Sequence, residues 1–174
     1  MTIEIRRLVP ADALSYRSAM LQGYELHPDA FTSTVDERGS LPLSWWEKRL
    51  ADGAGAEGLV LGAFEGARLA GVAGLSFEPR PKSRHKAHLF GMYVPSAFRG
   101  KGIGRALVLG VLEQARRREG VILVQLTVTD GNLDAQRLYE GCGFVVFGVE
   151  PRAMRQGEEY LAKVHMWCDL RLTG

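Results

Sequence analysis

Residues Ala87–Gly120 read AHLFGMYVPSAFRGKGIGRALVLGVLEQARRREG. An apolar, aromatic strand opens the stretch. A turn with three glycines in five residues follows, at Gly100, Gly102 and Gly104. A long amphipathic helix then ends on an Arg-rich turn and Gly120. Glycine lets backbone approach a ligand with no Cβ in the way. A helix beginning at such a turn aims its free N–H groups, and the positive end of its dipole, at whatever is bound. Strand, glycine turn and helix therefore form an anion cradle, with phosphate as the usual guest.

Two nucleotide readings fail on spacing. The NTPase phosphate loop needs G-x-x-x-x-G-K-S/T, and no such string occurs. The dinucleotide fingerprint needs G-x-G-x-x-G and an acidic residue about 20 positions on, closing a strand. Here the glycines alternate, deep in the chain, and that acidic residue is missing.

The pattern Arg/Gln-x-x-Gly-x-Gly/Ala does fit, at Arg99, Gly102 and Gly104. It resembles the acetyl-CoA pyrophosphate loop of the GNAT N-acetyltransferase superfamily. A second motif of that family, Asn-x-x-Ala-x-x-Leu-Tyr-Glu-x-x-Gly-Phe, has its counterpart at Asn132, Ala135, Leu138, Tyr139, Glu140, Gly143 and Phe144. The two motifs cover roughly the second half of the chain. The first half matches only in element order.

Composition is that of an ordinary globular protein. The 174 residues are 46% hydrophobic and 24% charged, with net charge +2, and we expect one domain over 1–174. So small a charge gives no reason to expect nucleic-acid binding. No apolar run is long enough to span a membrane, and MTIEIRRLVP lacks the apolar core of a signal peptide. Cys142 and Cys168 have no metal spacing and read as structural thiols. A cytoplasmic location follows.

In chain order, Thr2–Val9 alternates as a strand. A helix begins at Pro10, with Asp12 in its first turn, and stops before Pro28. Residues 25–40 have no period and read as a long loop. Leu41–Ala51 is a helix anchored by Trp45, Trp46 and Leu50. Leu59–Phe64 and Leu69–Phe77 form a hairpin, and 79–86 a basic loop. After the central unit come a strand at Val121–Thr129, a helix capped by Asn132, a strand at Phe144–Val149, a turn region at 151–157 and a last strand at Tyr160–Leu172. The fold class is α/β, an α+β mixed sheet with helices on both faces. The family layout adds that the central sheet is mostly antiparallel.

The resemblance implies transfer of an acetyl group from acetyl-CoA to a primary amine, by direct attack in a ternary complex with CoA as product. That chemistry sets four demands. The phosphates must be held, for which the loop offers Arg99, Gly100, Lys101, Gly102, Ile103, Gly104 and Arg105. The thioester carbonyl must be polarised. Gly91 inside an apolar strand marks a bulge or a close backbone approach, or else only relieves packing against a large side chain. The family layout puts backbone of Met92, Tyr93 and Val94 on the pantetheine arm, with Asn132 and Ala135 nearby. The leaving thiolate must be protonated, and Tyr139 stands where many family members keep that donor. The ammonium must lose a proton. His88 stands where several members have a glutamate; Glu78 and a water relay are the alternatives.

In this fold the acceptor pocket is built by the first helices and the terminal hairpin, which here offer Tyr24, His27, Phe31, Trp45, Trp46 and Tyr160, although both tryptophans would serve equally to pack their helix onto the sheet. Glu25, Glu158 and Glu159 are candidates to attract a cationic amine. The acceptor is a small-molecule or peptide amine, no metal is implied, and a homodimer is common in the family. Two other readings stay open: a non-catalytic acyl-CoA sensor on the same fold, and an enzyme acting on peptide N-termini.

Overall fold

Val60–Phe64 and Leu69–Leu75 carry no charged side chain on either face, the pattern of strands covered on both sides. In the computed structural model, which describes residues 2–53 and 55–172, both lie inside a seven-stranded sheet. The strands are β1 Ile3–Arg7, β2 Gly58–Glu65, β3 Arg68–Phe77, β4 Lys86–Tyr93, β5 Leu123–Thr129, β6 Val145–Gln156 and β7 Glu159–Asp169. Their order across the sheet is β1-β2-β3-β4-β5-β7-β6. Only β4 and β5 run parallel; the other neighbours are antiparallel.

Among the described residues there are five α-helices: α1 Ala13–Leu26, α2 Val35–Gly39, which packs on α1, α3 Leu43–Arg49, α4 Ile103–Arg117 and α5 Leu133–Gly141. α4 buries Ile103, Leu107, Val108, Val111, Leu112 and Ala115, a single stripe at helical spacing. That stripe packs with Leu61, Ala73, Leu75 and Leu89 on one face of the sheet. On the other face Tyr16, Met20, Trp46 and Leu50 pack with Leu8, Val60, Val72 and Tyr93. The expected layout of a mixed sheet between helical layers is what the structure has.

Three local expectations need correcting. Residues 25–40 are not one loop: a helical turn at Pro28–Ala30 and α2 lie within it. α2 is held by a capping box, with Glu37 N donating to Thr34 Oγ1 at 3.1 Å and Thr34 N donating to Glu37 Oε2 at 3.4 Å. The helix expected at Leu41–Ala51 is shorter at both ends: Pro42 caps it from outside, and at the other end Leu50 N turns back to Glu47 O and Lys48 O. β6 does not stop at Val149 but runs through Pro151 to Gln156, with a register shift between Glu150 and Met154. An edge strand tolerates proline, since one side of its backbone needs no ladder partner.

Candidate active site

β4 and β5 pair only from Lys86–His88 against Leu123–Gln125. Beyond that point the two strands part. The divergence coincides with a bulge in β4: Gly74 on β3 faces Phe90, yet Val72 faces Tyr93, one residue further than regular pairing allows. Burial shows the same irregularity. Leu89 and Tyr93 are four apart and would share a face in a regular strand, but Leu89 sits in the α4-side core and Tyr93 in the α1-side core. Gly91 has φ +59°. A Cβ there would meet only Met20 Cε, at 3.5 Å. Backbone conformation, and not crowding, is what requires glycine at this position.

The glycine loop leads from β4 into α4. Gly100 and Gly102 have φ +77° and +75°, with no atom within 4 Å of a Cβ built on either. Space thus lies open over the N-terminus of α4. The loop's cations are tethered. Arg99 Nε donates to Val94 O at 3.0 Å, and its Nη2 lies 3.1 Å from His27 Nε2. Arg105 Nη1 donates to Gly141 O at 3.0 Å. Lys101 Nζ is committed to Glu65 Oε1 at 2.9 Å, and this hydrogen bond holds the Glu65 carboxyl below the usual carboxylate range. Lys101 is therefore not the unpaired charge that the sequence suggests.

A cavity of about 350 Å³ opens where β4 and β5 part. Gly91 and Met92 line it from β4, Thr127–Thr129 from β5, and Asn132, Ala135 and Tyr139 from α5 and its cap. Tyr16, Tyr24, Phe31, Arg38 and Arg49 close it on the α1–α3 side. Asn132 Oδ1 accepts from Ala135 N at 3.3 Å, so the residue is spent partly as a helix cap. Tyr139 is 6% exposed and meets Phe144 edge to face at 5.9 Å. Burial, with a smaller contribution from Cys142, drives its phenol well above the ordinary tyrosine range.

The structure separates several residues that the sequence grouped. Tyr24 and Phe31 line the cavity and touch edge to face at 5.2 Å. His27 lies instead beside Arg99 and Tyr93. Trp46 is a core residue, 1% exposed, between Tyr16 and Trp45. Tyr160 is 55% exposed next to Arg152. The two alternative bases prove to be partners, with His88 Nε2 and Glu78 Oε1 2.8 Å apart, and neither lines the cavity. Arg38 and Arg49, which sequence reasoning passed over, do line it. The available signal was Arg49 one helical turn after Trp45.

The family model described as the Acetyltransferase (GNAT) family matches residues 20–144. The chain belongs to this family. It is a transferase, and GNAT acetyltransferases draw the acetyl group from acetyl-CoA. The L-amino acid N-acetyltransferase AaaT of Escherichia coli strain K12 is 32% identical over 124 residues, 68% of this chain and 75% of that protein. A GNAT acetyltransferase from Streptococcus pneumoniae superposes with a TM-score of 0.85 at 25% identity, over 95% of this chain and 98% of that one. The yncA protein of Salmonella typhimurium, solved with acetyl-CoA, superposes at 0.79 with 24% identity, over 98% and 95%. The GNAT donor suits what the chain offers: open glycine backbone at a helix N-terminus for phosphates, and two diverging strand edges for an extended arm.

Proposed function

We propose that this GNAT enzyme N-acetylates a primary amine of a small molecule, by direct attack in a ternary complex with acetyl-CoA. The observation carrying this reading is that one cavity joins the gap between β4 and β5, with Tyr139, to the aromatic wall of Tyr24 and Phe31. Donor and acceptor can thus meet without a covalent relay. The naming of the AaaT relative for L-amino acids supports an amino acid as acceptor.

Acetyl-CoA, when bound, supplies the acetyl group: the amine nitrogen bonds the carbonyl carbon as the carbon–sulfur bond breaks. The chain's part is to hold and to move protons. Backbone N–H groups from Arg99 to Arg105 take the phosphates, with charge from Arg99 and Arg105. Backbone of Met92, Tyr93 and Val94, re-aimed by the Gly91 bulge, takes the arm and polarises the carbonyl. Tyr139 gives its phenolic proton to the departing sulfur. Among the described residues the cavity lining holds no aspartate, glutamate or histidine, so the amine's proton leaves through water, and His88 and Glu78 act only through such a relay.

Titrating the full chain with acetyl-CoA, then following thiol release against a panel of amines and an N-terminal peptide, tests this directly. We expect micromolar binding and release on a small amine. Binding without release on any acceptor would favour the sensor reading. Release on the peptide alone would favour a protein-modifying enzyme. No binding by the folded chain would sink the loop assignment.

Residues 1–174 act as one domain in this reading. Cys142 is a buried free thiol, which suits a reducing compartment and the cytoplasm. The homodimer is assigned to β6. This strand ends the sheet and exposes Val145, Val146, Phe147 and Val149. A long apolar edge invites strand pairing unless covered, and antiparallel pairing with a second copy closes on itself about a two-fold axis. Light scattering should give twice the 19.2 kDa chain mass; a monomer at micromolar concentration overturns the assignment.

A further inference from the structure

The charge around the cavity is one-sided. Its described lining includes Arg38, Arg49 and Lys163, and no carboxylate. Lys163 is engaged, donating from Nζ to Thr32 Oγ1 at 2.6 Å. Neither arginine enters any ion pair among the described residues. Arg38 donates only from Nε, to Ser33 Oγ at 3.0 Å, which leaves both terminal nitrogens of its fork available.

Aromatic rings hold these guanidiniums in place without neutralising them. Arg38 Cζ lies 4.7 Å from the Trp45 ring centroid, and Arg49 Cζ lies 4.8 Å from the same ring and 4.9 Å from that of Phe90. Stacking uses the face of a guanidinium and leaves its in-plane N–H donors for a planar anion. Both arginines are half-buried. A partly desolvated cation without a counterion is unfavourable, and a bound anion relieves that cost. The field of the pair reaches neighbouring groups: burial pushes the Tyr16 and Tyr24 phenols up, while Arg49 and Arg38 pull both back.

We propose that Arg38 and Arg49 form a clamp for the carboxylate of the acceptor, which is therefore a small free amino acid. The inference rests on the acetyl-transfer reading above and names its substrate class. Size agrees, because about 350 Å³ must take the end of the pantetheine arm as well as the acceptor. Charge agrees too. Two guanidiniums disfavour a nearby ammonium, so a diamine or a lysine side chain is repelled. An amino acid is anchored by its carboxylate, and the same field eases loss of the proton from its amine. That suits a lining without an acidic or imidazole base.

The test compares thiol release by the full-length protein with L-methionine, its methyl ester and a diamine. The ester keeps the side chain and the amine nitrogen, adds one methyl and removes the anion, and it is compared at a pH at which both amines are largely deprotonated. We expect the acid to be preferred over both. Arg38→Gln and Arg49→Gln should each raise KM for the acid about 10- to 100-fold, the range of one charge-assisted hydrogen bond, and shift KM for the ester less than about threefold. Arg49→Lys should recover part of the loss. Equal use of acid and ester by the wild type, or equal losses on both, overturns the clamp while leaving acetyl transfer intact. If no acceptor turns over, calorimetric titration of L-methionine into the CoA-saturated protein decides. Binding that Arg49→Gln abolishes upholds the clamp though the transfer reading fails; no binding sinks the clamp. Unchanged acetyl-CoA affinity in each variant shows that its fold is intact.

Discussion

Replacing Tyr139 with phenylalanine should lower kcat about a hundredfold or more, the usual size of a lost general acid, and leave acetyl-CoA affinity within about threefold. The substitution is clean. The ring's edge-to-face contact with Phe144 survives, and among the described residues the hydroxyl makes no hydrogen bond that its removal would orphan. Stability should therefore barely move, and a falling kcat at constant melting temperature separates a proton donor from a core tyrosine. The pH dependence follows from the direction of the shift. A phenol pushed above its ordinary value by burial is neutral at every pH at which the protein is assayed. It keeps its proton throughout, contributes no alkaline limb to the rate profile, and adds no pH dependence to stability in that range. Wild type and Tyr139→Phe should thus have rate profiles of the same shape at different heights. Undiminished kcat in the variant would return Tyr139 to a packing role.

What the sequence made legible was local. The glycine turn and the Asn132–Phe144 motif are each one continuous stretch, so residue order shows a helix N-terminus in the first and a tyrosine in the second; the resemblance to the family, not the spacing, put the two at one site. The bulge was legible as one of two readings, because glycine inside an apolar strand marks either a bulge or a close approach; Gly62 on β2 and Gly74 on β3 are the second kind, crowded by Leu8 and Phe90. Partnerships between distant segments were not. Lys101 looked like a phosphate ligand because its carboxylate, Glu65, stands 36 residues away at the end of β2. Glu78 and His88 looked like rivals until the β3–β4 pairing set Ser76 opposite His88 and brought the two side chains together. Trp45 and Trp46 are neighbours on a helix of seven residues, too short for periodicity to say which is buried. The structure buries Trp46 and makes Trp45 the platform for both cavity arginines. Arg38 was hidden in α2, a five-residue helix whose only visible signal was the Thr34-x-x-Glu37 capping box.

Gly91 should produce the other large effect. A side chain here has room, since the nearest atom to its Cβ is Met20 Cε at 3.5 Å; any loss must come from the backbone. Holding a non-glycine residue at φ +59° costs roughly 1–2 kcal/mol, which in a chain of this size lowers the melting temperature by about 2–8 °C. Gly91→Ala should show that drop with a modest fall in kcat. Valine, branched at Cβ, tolerates the left-handed region worse, and the strand must then shift the bulge. It cannot smooth it away, because that would turn Tyr93 out of its core against Val72. The residues after Gly91 instead take new directions while Tyr93 stays anchored. An amide aimed at a developing oxyanion is worth about 3–4 kcal/mol, so Gly91→Val should lose on the order of 10²- to 10³-fold in kcat with little change in KM for acetyl-CoA. The discriminating quantity is the ratio of kinetic to thermal damage. If both variants melt lower in proportion to their strain yet turn over at the wild-type rate, the bulge serves only to part the strands. If kcat falls far more steeply than stability from alanine to valine, the bulge directs the backbone that polarises the thioester.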